Sequence, residues 1–174
     1  MVLRQLPPRG VLGGVDGPAM NVDFWVATAV DAEAVADVYL RSHKELVACA
    51  PLVHSDQNVR EWIGRTLIPA RRMTVAAVDG LIVGLMAVSN DGRCSWIDHL
   101  YLLPGWIGRG IGTQLLNRAR RELPSPIRLY TFQCNHSARY FYERRGFTAI
   151  AFGDGSGNEE KCPDILFEWR EEMA

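Results

Sequence analysis

The segment LPGWIGRGIGTQLL, Leu103 to Leu116, places Gly105, Gly108, Gly110 and Gly112 within eight residues and then runs straight into an apolar helical pattern. Removing side chains from a loop just where a helix begins narrows what the chain can be doing. Glycine lacks the Cβ that would block close approach, and the first helical turn carries N–H groups with no intrahelical acceptor. Together with the helix dipole, those donors make an anion site. A tight turn without a ligand is the plainer alternative, and glycines alone do not separate the two.

The flanking pattern supplies context. Phe24 to Thr28 is a β-type run, and Asp31 is the candidate cap of a helix with Val35, Val38, Tyr39 and Ser42 on one face. Ser55 is a second cap candidate, before a helix whose buried side carries Val59, Trp62, Ile63, Thr66 and Leu67 and which Pro69 should end. Met73 to Val78, Leu81 to Ser89 and Arg93 to Leu103 are separated by Asp79-Gly80 and Asn90-Asp91-Gly92, which predicts an antiparallel meander of three strands. A helix from about Gly110 to Glu122 then aligns Ile111, Leu115, Ala119 and Leu123. Strand Ile127 to Phe132, helix Ser137 to Arg145 closed by Gly146, and strands Thr148 to Phe152 and Ile165 to Trp169 complete a mixed α/β pattern on one sheet.

At 174 residues the chain suits one domain with a substantial core. The glycine- and proline-rich residues 1–20 read as a flexible tail, leaving residues 21–174 as the single domain. A formal net charge of −1 argues against a general nucleic-acid binder. The longest apolar run, Leu81 to Val88, is too short to span a bilayer, and Arg4, Arg9 and Asp16 interrupt any signal-peptide core. Four widely spaced cysteines predict neither a zinc site nor a disulfide scaffold, and reduced thiols suit a cytoplasmic protein.

Three phosphate loops compete for the glycine segment. A Walker-type loop fails because Ile111 and Gly112 stand where Lys and Ser/Thr are required. A dinucleotide fingerprint begun at Gly108 or Gly110 meets Thr113 or Leu115 at its third glycine, and the expected acid is missing near Tyr130. The third option fits: a bulged strand IDHLYLLP, the segment GRGIGTQLL opening a helix, and later NHSARYFYERRGF from Asn135 to Phe147 together resemble the GCN5-related N-acetyltransferase (GNAT) superfamily. The resemblance extends from Phe24 to Arg170. It departs at Ile107, where such proteins usually carry Gln or Arg, leaving Arg109 as the nearby cation.

This resemblance implies a mostly antiparallel mixed sheet of six or seven strands with about four helices, and acetyl-CoA as co-substrate with no metal. The diphosphate would sit on the amides of Gly108, Arg109, Gly110, Ile111, Gly112 and Thr113, and the pantetheine arm would pair with the backbone of Leu100, Tyr101 and Leu102. Asn135 would bond the same arm, with a helix cap as its other reading. Tyr142 matches the residue that protonates the departing thiolate, and Leu102 N–H would polarise the thioester carbonyl. Alternation puts Trp96, Asp98, Leu100 and Leu102 on one strand face, so Asp98 is the expected general base, with His99 opposite unless a bulge shifts it. Tyr130 replaces another common base. The acceptor would lie between residues 39–56, with His43, Lys44, Glu45 and His54, and the loop holding Asp154, Asn158, Glu159 and Glu160. These acids suit a primary amine, a small molecule rather than a protein terminus, with no nucleic-acid or membrane partner and a homodimer left open. The alternative is a CoA-binding regulatory or structural domain without catalysis.

Overall fold

The computed structural model describes residues 20–45, 50–70 and 72–171. The expected tail lies, apart from Met20, outside the described residues. Seven strands, β1 (Asp23–Val26), β2 (Arg72–Val78), β3 (Leu81–Asn90), β4 (Ser95–Leu102), β5 (Ile127–Phe132), β6 (Thr148–Gly153) and β7 (Asp164–Trp169), form one sheet in the order β1-β2-β3-β4-β5-β7-β6. All neighbours are antiparallel except β4 and β5. The long helices are α1 (Ala32–Lys44), α2 (Asp56–Trp62), α3 (Ile111–Glu122) and α4 (His136–Glu143).

The meander forms where the turn chemistry demands it. Asp79 and Gly80 both take positive φ, 51° and 78°, as a two-residue hairpin turn requires. From Met73 to Val78 and from Ile82 to Val88 every residue except Gly84 is a buried apolar or threonine side chain, the pattern of strands covered on both faces. Packing α1 against β3 and β4, and α3 against β2, β3 and β4, supplies that cover. On α3 the predicted stripe holds, with Ile111, Leu115 and Ala119 buried. The removal of this much apolar surface from water is the main stabilising term.

Two helix ends differ from expectation. Asp31 does not cap α1; its Oδ2 accepts from the Thr28 N–H at 2.8 Å, closing a box one turn earlier around the 3-10 turn Ala29–Asp31. Ser55 does cap α2, accepting from Asn58 N–H at 3.2 Å. Pro69 does not end the helix that follows. A π-turn, Ile63–Leu67, intervenes, and Ile68 N–H reaches back to the Ile63 carbonyl before the short α segment Ile68–Ala70. The wider turn accommodates a residue that brings no N–H of its own.

The cysteines need a correction as well. Cys134 is disulfide-bonded, so the expectation of reduced thiols, and the cytoplasmic argument built on it, loses its footing. No helix among the described residues is long and apolar enough to cross a membrane.

Candidate active site

After β4, a single 3-10 turn at Pro104–Trp106 leads into the glycine loop. Gly108 and Gly110 adopt φ of 81° and 83°, a left-handed conformation that side chains resist. A Cβ added at either would meet nothing within 4 Å, so conformation and not crowding requires glycine there, and the turn is open on that side. Gly110 caps α3, and its carbonyl receives the first helical bond from Gln114 N–H at 3.1 Å. The amides of Ile111, Gly112 and Thr113 therefore have no acceptor within the helix. An open cradle of main-chain donors at a helix start fits a diphosphate.

Gly112 is different. A Cβ there would lie 3.3 Å from Phe141 and 3.5 Å from Leu102, so this glycine lets α3 approach both α4 and the end of β4. Across the same contact, Arg145 donates to Thr113 Oγ1 from Nε at 3.1 Å and from Nη2 at 2.5 Å, with its guanidinium 3.9 Å above the Phe141 ring. The second sequence motif thus buttresses the first. The Thr113 hydroxyl is engaged by Arg145, and its amide is left without an acceptor in the helix. Arg109 stacks over Trp106 at 4.7 Å, whereas Ile107 is 63% exposed.

Parallel pairing of β4 with β5 is confined to Ser95 with Ile127 and Trp96 with Arg128, after which the strands diverge. The gap is a cleft of about 100 Å³ whose walls include Asp98, Leu100, Tyr101, Asn135 and Tyr142. Five residues chosen from sequence for the site thus share one cavity. Leu103 N–H donates to the Val83 carbonyl at 2.8 Å, and the β3–β4 register alternates from that bonded pair. Leu100 and Leu102 therefore turn their main-chain groups toward the cleft, while those of Tyr101 are committed to Leu85 on β3. The expected pantetheine pairing is corrected accordingly: Tyr101 offers no free main-chain group. The Leu102 carbonyl is also taken, accepting from Ser42 Oγ on α1 at 2.5 Å, which leaves the Leu102 amide facing the gap.

Tyr142 is buried among Phe141, Phe147 and Phe167, with ring centroids 5.1 to 6.1 Å away. Burial raises its pKa well beyond the ordinary tyrosine value, so its hydroxyl stays protonated. Asn135 caps α4, its Oδ1 accepting from Ala138 N–H at 3.1 Å, and it also lines the cleft. Its Nδ2 takes no part in that cap.

On the far side of β4, the register slips between Ala87 and Val88, which face His99 and Ile97, so Asp98 is the extra residue of a bulge. Strict alternation fails there. Trp96 stacks on Tyr130 at 5.8 Å, Leu102 packs toward Gly112, and Asp98 and His99 both line a second cavity of about 640 Å³. His99 thus joins the cleft from which alternation had excluded it. Asp98 Oδ1 accepts from Ser89 Oγ at 2.9 Å.

This larger cavity includes Tyr39, His43, Asp154, Asn158 and Glu160, as the acceptor reading expects. An adjoining lobe of about 510 Å³ adds Trp62, His54 and Glu159, with His54 Nε2 and Glu159 Oε2 3.0 Å apart. Lys44 instead pairs with Asp56 at 3.0 Å, and neither Lys44 nor Glu45 is in either wall. Sequence reasoning missed the aromatic lining. Tyr39 contacts Trp62, His99 and Tyr101 at 5.9, 5.7 and 5.0 Å, all near edge-on. Helical periodicity placed Trp62 in the core, yet it is 36% exposed and faces this lobe. Burial, and behind it the charge of Glu160, push Tyr39 up to about 12. His43 is 2% exposed, and burial lowers its pKa against the opposing pull of Glu160 and the Ala50 backbone. Neither of its ring nitrogens makes a hydrogen bond of full geometry among the described residues.

Residues 39–147 match the sequence model of the acetyltransferase (GNAT) family. Two curated relatives, uncharacterized N-acetyltransferases of Mycobacterium tuberculosis and Mycobacterium bovis, are 29% identical over 132 residues, 67% of this chain and 83% of theirs. Among solved structures, the PaiA N-acetyltransferase of Thermoplasma acidophilum in complex with coenzyme A superposes with a TM-score of 0.69 at 19% identity, over 87% of this chain and 100% of that one. An acetyltransferase of Thermus thermophilus does so with a TM-score of 0.69 at 17% identity, over 88% and 99%. At such identities these likenesses speak to fold.

Proposed function

The chain belongs to the acetyltransferase (GNAT) family, and from that premise we propose that it is an acetyl-CoA-dependent N-acetyltransferase whose acceptor is a small primary amine, attacking directly in a ternary complex. The observation that carries this reading is the divergence of β4 from β5, which opens a cleft walled by Tyr142 and Asn135 beside the glycine turn. Acetyl-CoA, when bound, supplies an acetyl group already activated as a thioester. The amides from Gly108 to Thr113 would hold its diphosphate, and Leu100, Leu102 and Asn135 would hold its pantetheine arm. That places the Leu102 amide where it can donate to the thioester carbonyl.

Each remaining residue handles a proton. Asp98, at the bulge, is positioned to take one from the acceptor ammonium directly or through water, and positioned bases contribute on the order of 10²–10⁴-fold. Tyr142 would give its hydroxyl proton to the departing thiolate. Walls contributed by α1, α2 and the loop before β7 line two adjoining cavities of small-ligand size, which favours a small molecule over a protein terminus.

Free thiol released from acetyl-CoA, read across a panel of amines, tests the proposal, with calorimetry of acetyl-CoA binding alongside. Saturable binding and amine-dependent thiol release are expected. Binding without release by any amine would favour the regulatory or structural alternative, and absence of binding would sink both.

A further inference from the structure

Resting on the acetyl-transfer reading, we propose that the acceptor is a dication without an anionic group: its reacting amine lies at the Asp98–His99 bulge, and its second cationic group lies in the lobe walled by Trp62 and Glu159. Three cavities are joined in series. The cleft between β4 and β5 shares Asp98, His99 and Tyr101 with the 640 Å³ cavity, which in turn shares Tyr39, His99 and Glu160 with the 510 Å³ lobe. Each of the two larger spaces is already the size of a small-ligand pocket. An acceptor that fills only the first would leave the second unused.

Charge decides what the pair can hold. Among the described residues, the carboxylates of Asp98, Asp154, Glu159, Glu160 and Asp164 line the two cavities and no lysine or arginine does. A carboxylate or phosphate on the acceptor would meet like charge with no lysine or arginine to offset it. A second ammonium, by contrast, meets Glu159 and Glu160 in the farther lobe. At the junction, the rings of Tyr39 and Trp62 stand at 68° to one another, and those of Trp62 and His99 at 79°. These rings pack edge to face against one another, and the exposed part of Trp62 gives the lobe an aromatic wall against which a cation can lie. Glu159 sits at the outer rim, 74% exposed with His54 Nε2 3.0 Å from its Oε2, so it can be changed without disturbing the core.

The test compares three acceptors of equal chain length: an alkyl monoamine, the α,ω-diamine, and the ω-amino acid in which carboxylate replaces the second ammonium. Binding to the protein saturated with coenzyme A is read by calorimetry, and transfer by thiol release. The diamine should bind about tenfold or more tightly than the monoamine, and the amino acid more weakly than either. Glu159→Gln should shrink the diamine-to-monoamine ratio several-fold, and because the residue is exposed the variant should fold normally. Equal affinities for diamine and monoamine, a preference for the amino acid, or an unchanged ratio in Glu159→Gln would overturn the proposal. Failure of the acetyl-transfer reading looks different: coenzyme A would not bind, or the diamine would bind with the stated preference while no thiol appeared.

Discussion

Tyr142 shows how one side chain's surroundings set its chemistry. A phenol near its ordinary pKa of about 10 would begin to ionise in the alkaline range and lose its capacity as an acid. Enclosure by Phe141, Phe147 and Phe167 raises that pKa, so the proton is retained. The pH profile of kcat/KM should therefore rise as the amine and its base deprotonate, with no alkaline fall below about pH 10. Tyr142→Phe preserves the packing and should keep acetyl-CoA affinity while lowering turnover on the order of 10²-fold or more; unchanged turnover would remove Tyr142 from the acid role. His43 makes a different statement, about stability. Its pKa is lowered in the fold, so as pH falls below the ordinary value of about 6.5 the unfolded chain takes up the proton first and stability declines. Above that pH the residue contributes no slope. His43→Phe keeps a ring against Tyr39 and should flatten the acid limb, measured as the shift in denaturation midpoint between about pH 5 and pH 7.5.

Asn135 serves α4 and the cleft at once, and the two duties can be separated by substitution. Serine caps a helix about as well as asparagine but brings no amide N–H, whereas alanine loses the cap at a cost of about 1 kcal/mol. Asn135→Ser should thus retain the unfolding midpoint of the parent while weakening acetyl-CoA binding, and Asn135→Ala should lose both; full affinity in the serine variant would reduce Asn135 to a cap. Elements of this kind were readable from sequence because their causes are local: Asp79-Gly80 dictates a hairpin, glycines running into an apolar stripe mark a turn at a helix start, and Asn135 stands three residues before the amide it caps. A bulge within IDHLYLLP was implied by the family resemblance, but its place at Asp98 was not readable. One extra residue in a ladder leaves no compositional mark, yet it brings Asp98 and His99 into one cavity wall and puts the alternation of β4 out of phase across that point. The commitment of Tyr101 to β3, the hold of Ser42 on the Leu102 carbonyl, and the π-turn before Pro69 likewise depend on partners distant in sequence or on a wider helical turn.

A formal charge of −1 describes the chain as nearly neutral, and in doing so conceals how the charges are arranged. Folding gathers carboxylates from β4, from the loop before β7 and from β7 itself around one pair of cavities, and leaves lysine and arginine out of those walls among the described residues. The field that results has two opposed effects on an amine. It draws the ammonium form in, and it raises the cost of removing the proton that must leave before nitrogen can attack. An alkyl amine with a pKa of about 10.4 is almost wholly protonated at neutral pH, so the enzyme that attracts it electrostatically also needs a base beside it. On the proposed reading Asp98 at the bulge would supply that group, and attraction and deprotonation would then belong to the same few residues. Because the walls are partly solvated, the attraction should be screened. Raising salt from about 0.05 to about 0.5 M, which shortens the Debye length to a few ångströms, should increase KM for a cationic amine several-fold while changing kcat and the KM for acetyl-CoA much less. A KM for the amine indifferent to salt would mean that shape, and not the gathered carboxylates, selects the acceptor.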